Sequence, residues 1–365
     1  MTTPRSTSLR TRSSRLLMLY AACALPFIVF GTSQAMQTNS NAPLDWVSPS
    51  FPPRAEYDKH VEQFGSGDIV IASWPSCTID EPRLDDLLTK LRTHPAFQDS
   101  DGKSYFEQAT CGRELVAQVM SGSAPLSRDV ATERLRGTFV GPDGLQTCVV
   151  ISFTRAALLH RERLVELIQS CINTVCEVSP DDLHLAGPVI DGLTVDQAGR
   201  RSLDRLAVPS AAIVLILACV CLRSWRAGLI VFGLSVFCQG ATLALLHYCG
   251  ESMNALLIVL PPLIQVLTVA GGVHLTNYYF DTTKALGVEH AAWEAVRIGW
   301  LPCLLSAGTT ALGIGSLVTS GLTPVRSFGV YGSLGVVLSA GLLILLVPAL
   351  WESWPMSSRR TLTNE

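Results

Sequence analysis

The sequence predicts a polytopic α-helical membrane protein whose six transmembrane helices carry one extracytoplasmic domain of the α+β class. Of its 365 residues, 48% are hydrophobic and only 16% are charged, whereas a soluble domain carries about 25% charged residues. The mean hydropathy is +0.35, so a bilayer is expected to cover much of the surface. Six apolar stretches are long enough to form spans, and a polar segment, residues 36–205, separates the first from the second.

The six apolar stretches define the predicted spans. A helix that crosses a bilayer needs roughly 17–25 mostly apolar residues, and its backbone must satisfy its own hydrogen bonds there, so helices are expected. The spans are residues 16–35, 206–222, 227–246, 255–280, 298–319 and 328–351, so that the segment 206–352 holds the last five. The second is short, and a continuous helix that begins within 200–205 would lengthen it.

Lys and Arg residues near the span ends predict the orientation, because they are enriched on the cytoplasmic side. Ten of them share one side, and the two short loops on the other side hold only Arg326. The ten are Arg5, Arg10, Arg12, Arg15, Arg223, Arg226, Lys284, Arg297, Arg359 and Arg360. Residues 1–15 and the tail 353–365 are therefore expected in the cytoplasm. Residues 36–205 are expected outside the inner (plasma) membrane of the cell, which suits the excess of acidic residues in this segment.

The first apolar stretch has two interpretations. Residues 16–35 are long enough to remain as transmembrane helix 1. The same stretch follows Arg15 and ends in Ser33-Gln34-Ala35, which is typical of a signal peptide with a small-residue cleavage site. Both interpretations place the following domain outside; they differ in whether five or six spans remain.

Short strands and amphipathic helices are predicted within residues 36–205. Residues 68–74 and 147–154 have the composition of strands, and a further strand is expected around 184–186. Helices are expected at 158–175 and around a run of four leucines at helical spacing, namely Leu84, Leu87, Leu88 and Leu91. This alternation favours a small α+β unit of the split-βαβ kind. Residues 36–53, rich in Pro, Asn and Ser, are interpreted as a loop or a partly disordered linker.

Residue types in the outer segment indicate little catalytic chemistry. Its cysteines lie in a compartment that permits disulfides, and either a Cys77–Cys111 bridge or buried free thiols would fit. No spacing matches a metal site, and the sequence contains no G-x-S-x-G, H-E-x-x-H or Walker motif. We therefore expect no enzymatic activity and no cofactor. Because no basic patch interleaves with aromatic residues, a nucleic-acid partner is not expected either.

The last three spans contain an ordered set of motifs. A histidine lies in the fourth span, an amphipathic segment follows it, a Thr-Thr-x-x-Gly run lies in the fifth span, and an F-G-x-x-x-x-x-G run enters the sixth. These are His274, residues 289–297, Thr309-Thr310 with Gly313, and Phe328-Gly329 with Gly335. Over about residues 15–352, this order resembles one repeat of an RND/MMPL transporter, a membrane core that sterol-sensing-domain proteins share.

The resemblance implies a single six-span RND half with a porter-like outer domain. Such a half would export a hydrophobic or lipid-like substrate across the lipid bilayer with proton motive force. RND transporters usually contain two repeats, so a second RND half is expected as a partner, either another copy in a homodimer or a companion protein. Two other functions stay open: a non-transporting, sterol-sensing-like protein that binds lipid or acts as a scaffold, and an auxiliary subunit similar to the SecD/SecF half-transporters.

Five residues in the spans are candidates for proton relay or coupling: Gln265, His274, Ser306, Thr309 and Thr310. Ionisable groups are costly in a bilayer and therefore often functional, and an imidazole exchanges protons near neutral pH. His274 would equally suit an interfacial position, because it lies toward the cytoplasmic end of its span.

Two further features of these spans carry expectations. RND exporters typically carry an Asp three residues before such a histidine. Gly271 stands there in this chain, and no Asp or Glu lies in the central part of any predicted span. Proton coupling would then use His274 or a partner's carboxylate, or would not occur. In the fifth span, Gly308, Gly313 and Gly315 are expected to permit close helix packing.

Overall fold

A computed structural model describes residues 4–38, 46–48, 51–65, 67–122 and 124–355, without the side chains of 4–12, 62, 64 and 289. The chain divides into two compact units. The helical unit comprises Met1–Asn41 and Ala198–Glu365, and the sheet unit comprises Ala42–Gln197. The two units are described separately below.

The secondary structure is mostly helical. In chain order the helices are α1 (Pro4–Gln37), α2 (Pro52–Phe64), α3 (Arg83–Thr93), α4 (Gly112–Ser121), α5 (Arg128–Leu135), α6 (Arg155–Leu158), α7 (Arg161–Cys176), α8 (Pro188–Leu222), α9 (Trp225–Tyr248), α10 (Leu260–Leu286), α11 (Val288–Gly315) and α12 (Thr323–Ser353). The strands are β1 (Ile69–Ser73), β2 (Phe106–Cys111), β3 (Val149–Phe153) and β4 (His184–Ala186).

Six helices of the described chain, α1 and α8 to α12, are long and apolar enough to cross a membrane. Each overlaps one of the apolar stretches found in the sequence, although the fourth stretch starts before α10 and the fifth ends after α11. Helices α1, α8 and α11 begin well before their stretches. Helix α8 starts at Pro188, where proline suits a first helical position, and runs without a break to Leu222. Helix α11 runs from Val288 to Gly315, so the amphipathic segment and most of the fifth apolar stretch form one helix.

Helices α9, α10 and α12 form the centre of the helical unit. In each, 44% of the most apolar window is buried, against 6–11% in α1, α8 and α11. Helix α12 packs against α1, α9, α10 and α11. Since the peripheral helices are apolar on their exposed sides, with Leu305 61% and Leu312 77% exposed, lipid or another protein must cover them.

One end of the helical unit is held together by a carboxylate. Glu352, near the end of α12, accepts hydrogen bonds from the hydroxyl of Ser14 in α1 and, at 2.9 Å, from the indole Nε1 of Trp293 in α11. The neighbouring Trp351 ring stacks on Tyr279 of α10, with 5.2 Å between ring centroids and 12° between planes. Helices α1, α10, α11 and α12 therefore meet at this end.

The sheet unit contains a four-stranded antiparallel sheet in the order β2-β3-β1-β4. Ile71 in the centre of β1 lies opposite Val150 of β3 on one side and Ala186 of β4 on the other. Because β3 is inserted between β1 and β2, the β1-α3-β2 unit is split, which is the split-βαβ topology. One sheet face packs on α3 and α7, and the four leucines of α3 are buried there as predicted.

Two features of the sheet unit differ from the sequence-based expectations or lie beyond them. Strand β2 was not predicted, because its buried and exposed positions do not alternate. The predicted helix at 158–175 is divided between α6 and α7. Half of the predicted linker 36–53 lies outside the described residues, as do 1–3 and 356–365 at the predicted cytoplasmic ends, and the linker's own ends belong to α1 and α2.

All eleven cysteines are free thiols in the structure. Cys77 and Cys111 are both fully buried in the core of the sheet unit, so the structure has buried thiols where a bridge was the other possibility. Burial strongly raises the pKa of the Cys77 thiol. Within the described ranges no group of His, Cys, Asp or Glu has the arrangement of a metal site.

Candidate functional site

A cleft of about 300 Å³ lies between α10, α11 and α12 in the helical unit. Most of its lining is apolar. The polar side chains that line it are Thr268, His274 and Tyr278 of α10, Ser306 and Thr310 of α11, and Ser339 of α12. Hydroxyl groups from three helices and the imidazole of His274 in α10 therefore line the same cleft.

Helix α10 supplies the histidine side of the cleft. Gly271, His274 and Tyr278 follow one another at three- and four-residue spacing, so they share one face of the helix. All three line the cleft. Within the described residues, the imidazole of His274 makes no hydrogen bond and no ion pair. Its two nitrogens are therefore open to water, to a substrate or to a partner.

Helix α11 supplies hydroxyl groups. Thr309 and Thr310 both donate to the backbone carbonyl of Ser306, each with an oxygen–oxygen distance of 2.9 Å. Such hydrogen bonds to the preceding turn satisfy the hydroxyl protons and tend to bend a helix. Thr310 and Ser306 line the cleft, whereas Thr309 is exposed on another side of α11.

The structure brings together three of the five candidate residues, namely His274, Ser306 and Thr310. Gln265 is only 7% exposed and lies in α10 outside the cleft lining, and Thr309 lies outside it as well. The sequence reasoning missed Thr268, Tyr278 and Ser339. The spacing from His274 was a usable signal for Tyr278, one turn later on the same helix.

Gly271 occupies the position where the RND pattern has an Asp. It lines the cleft, and a Cβ placed on it would meet Leu343 Cδ1 at 3.5 Å, an ordinary contact. The backbone therefore leaves room for a side chain at the start of the cleft. No carboxylate lines the cleft among the residues that the structure describes.

The glycines of α11 do not have the close-packing role that we expected. A Cβ on Gly308 or Gly313 would meet nothing within 4 Å, and one on Gly315 would lie 3.7 Å from Ser333. The reason is the peripheral position of α11. Close approaches occur instead in the central helices, where a Cβ on Gly272 would lie 2.6 Å from Val231 and one on Gly335 would lie 2.5 Å from Thr242.

The six apolar helices and the cleft define the chain as a multi-pass membrane protein. The model of the MMPL family matches residues 86–361, and the chain belongs to this family. Members of the family are membrane transporters rather than enzymes, and the resemblance to RND/MMPL transporters is thereby confirmed. No curated protein shows a significant similarity to the chain.

Proposed function

We propose that the chain is one half of a proton-driven exporter of hydrophobic or lipid-like substrates in the inner (plasma) membrane. The observation that supports this most is the cleft, which combines an imidazole without a partner with hydroxyl groups of neighbouring helices. An imidazole that gains and loses a proton changes the charge inside the bundle. Since charge is costly in a bilayer, that change favours different helix arrangements in the two protonation states.

In this proposal His274 carries the proton, and Ser306 and Thr310 stabilise the charged form through their hydroxyl oxygens. The hydroxyl proton of Thr310 is already donated to a backbone carbonyl, so its oxygen is left with acceptor capacity. Gln265 and Thr309 lie outside the cleft lining. Gln265 would serve as a polar contact between helices, and Thr309 would face lipid or a partner.

A second half completes the proposed transporter, either as a second copy of this chain or as a companion protein. Two-repeat transporters place their pathway at the interface between pseudo-symmetric halves, and a two-fold dimer is the simplest closed assembly. The open surfaces at Gly308 and Gly313 of α11 would allow another helix to approach closely. A carboxylate from a companion protein would take the place of the Asp that RND exporters carry where this chain has Gly271.

The sheet unit is proposed as a porter-like domain that receives or releases substrate on the extracytoplasmic side. Its split-βαβ topology supports this assignment, because a porter-like domain of this kind is what the resemblance implies. The proposed side rests on the basic residues that flank the spans. A reporter fused between residues 60 and 200 that is active in the cytoplasm would contradict it.

The test uses the full chain in vesicles of phosphatidylethanolamine and phosphatidylglycerol, whose lipids also serve as the lipid-like probe. A trapped pH-sensitive dye reports proton entry while valinomycin and potassium clamp the membrane potential. We expect His274→Ala to slow proton entry at least tenfold. His247→Ala is the matched control, because His247 packs its ring 6.2 Å from Phe30 at the end of α9, away from the cleft. Proton entry through His274→Ala at the wild-type rate would overturn the assignment of His274.

A lipid-binding receptor or scaffold is the second candidate, and the glycine at position 271 favours it. With no carboxylate in the cleft lining, this half alone lacks the usual RND proton acceptor. Saturable binding of a fluorescent sterol by vesicles that show no proton entry would support this function over transport. Purification from native membranes would identify an auxiliary role, since a SecD/SecF-like subunit would co-purify with a translocation machinery.

A further inference from the structure

Glu251 is a carboxylate at the end of the helical unit opposite to Glu352. It follows the end of α9, and its backbone N–H donates to the carbonyl of Leu246, so the α9 terminus fixes its position. Its carboxylate accepts a hydrogen bond from the hydroxyl of Ser327 in α12, with an oxygen–oxygen distance of 3.1 Å. Glu251 is only partly exposed, and it forms no ion pair with any residue that the structure describes.

A phenol and a thiol lie near Glu251. Tyr331 lies one turn after Ser327 on α12, near the carboxylate of Glu251 and the thiol of Cys249. Neither group carries a positive charge.

A row of buried polar positions leads from Glu251 into the bundle along α12. Residues four apart lie on one face of a helix, so Ser327, Tyr331, Gly335 and Ser339 share a face. With a rise of about 1.5 Å per residue, this row is about 18 Å long. Its last member, Ser339, lines the cleft that contains His274.

Neighbouring helices add hydroxyl groups where α12 itself has none. At Gly335 the missing side chain leaves room for Thr242 of α9, whose Oγ1 would lie 3.2 Å from a Cβ at that position. Thr268 of α10 lines the cleft beside Ser339. Ser327 is 8% exposed, Thr242 1%, Thr268 2% and Ser339 3%, so most of the hydroxyl row is buried, and Tyr331 is half-buried.

The hydroxyls of this row are not required for packing. Thr242, Thr268 and Ser339 each donate to a backbone carbonyl of their own helix, at 2.9, 2.7 and 2.9 Å. Each oxygen retains acceptor capacity. Apolar residues of similar size would fill the same space in an otherwise apolar bundle. Hydroxyls that keep free lone pairs along one line are suited to exchange protons with water molecules between them.

We propose that Glu251 is the proton-entry carboxylate of this half-transporter. Glu251 binds a proton from the adjacent aqueous phase and releases it to the hydroxyl row on α12, which passes it by exchange with water to His274. Each transfer leaves the donor ready to take the next proton, and the carboxylate is reloaded from the aqueous phase. The inference rests on the proposed proton coupling. It names Glu251 as the carboxylate through which protons enter, since no carboxylate lines the cleft among the described residues.

A purely structural role for Glu251 makes different predictions. In that role, Ser327 and Glu251 only fasten the loop after α9 to the first turns of α12. Glu251→Gln keeps an amide oxygen that can accept from Ser327 but cannot bind a proton near neutral pH. Ser327→Ala removes the fastening and leaves the carboxylate in place. A structural role therefore predicts wild-type proton entry for Glu251→Gln and a defect only for Ser327→Ala, whereas the proposed role predicts that Glu251→Gln loses proton entry.

The experiment measures proton entry into the same vesicles with the full chain. We expect Glu251→Gln to slow it at least tenfold and Glu251→Asp to stay within about threefold of wild type. Glu352→Gln is the control, since Glu352 also accepts hydrogen bonds but lies at the other end. In infrared spectra, a pH-dependent carboxyl band should disappear in Glu251→Gln and persist in Glu352→Gln.

Three outcomes would overturn the assignment. Wild-type proton entry through Glu251→Gln would exclude the carboxylate while leaving the proposed transporter intact. A carboxyl band that persists in Glu251→Gln would assign Glu251 a structural role only. Vesicles with the wild-type chain that show no proton entry would overturn the proposed function and this role together, so the two failures are distinguishable.

Discussion

Gly335 is the position at which the packing of the bundle is most directly testable. It lies in the middle of α12, between α9 and α10. A Cβ there would lie 2.5 Å from Thr242 Cγ2 and 3.0 Å from Ile264 Cδ1. Thr242 is 1% exposed and its hydroxyl is bonded to the carbonyl of Cys238, so it cannot rotate away without losing that bond. Gly335→Ala should therefore separate the three central helices slightly.

The size of the effect follows from a comparison within one helix. Overpacking of a well-packed core costs about 1–3 kcal/mol, and replacing glycine by alanine in a helix interior gains about 1 kcal/mol. Gly341→Ala should have the same gain in helix stability without the overpacking cost, because a Cβ at Gly341 would meet nothing within 4 Å. The difference between the two variants isolates the packing cost, and we expect Gly335→Ala to be less stable by about 1–3 kcal/mol.

Unfolding of the purified full chain in lipid nanodiscs, followed by tryptophan fluorescence against denaturant, measures this difference. A second variant tests the cause: Thr242→Ser removes the Cγ2 methyl group and should restore much of the stability of Gly335→Ala. Equal stabilities of Gly335→Ala and Gly341→Ala would refute the reasoning. So would a Thr242→Ser change that lowers the stability of the Gly335→Ala chain further.

Three further predictions concern the cleft and the sheet unit. Gly271→Asp should fold and raise proton entry into vesicles severalfold, because the position has room for a carboxylate; a non-folding variant would show that the room is absent. Arg161→Ala should destabilise the sheet unit by about 3–5 kcal/mol by removing the cation of the buried Arg161–Asp196 ion pair. Replacing both residues by alanine should lower the stability less, as measured by hydrogen exchange. Arg92 lowers the pKa of Glu114, so this pair should stabilise the folded state by about 1 kcal/mol or less. That contribution to stability is present above about pH 4.3, the usual pKa of a glutamate in the unfolded chain. It is lost as the pH falls through the lower pKa of Glu114 in the folded chain. Hydrogen exchange against pH should show no such loss in Glu114→Gln.

The apolar spans were predictable because every membrane-spanning helix must meet the same physical requirement. A helix in lipid must be apolar over its whole length, so the six stretches can be found without knowledge of any contact. Their starting points are less predictable. The first part of α8 is polar and amphipathic, and the helix continues through the following apolar residues to Leu222 although Pro209 lies inside it.

The candidate site shows where sequence reasoning ends. His274 was found because an ionisable group in a span is costly enough to attract attention by itself. Ser339 and Thr268 were missed because a single hydroxyl in a membrane helix can bond to its own backbone at little cost. Their importance depends on which helices are neighbours. The same limit explains the glycines: Gly308 and Gly335 look alike in sequence, but only Gly335 faces two central helices.

The fastening at Glu352 places the first and last membrane helices side by side, since Ser14 of α1 and Glu352 of α12 are hydrogen-bonded to each other. Ser14 and Glu352 therefore lie at the same end of the helical unit, and exposed chain ends tolerate the addition of a connecting peptide. Two copies of this gene could therefore be joined head to tail by a flexible tether. Such a concatemer would carry one altered copy and one intact copy, which allows each substitution to be examined in half of an assembly.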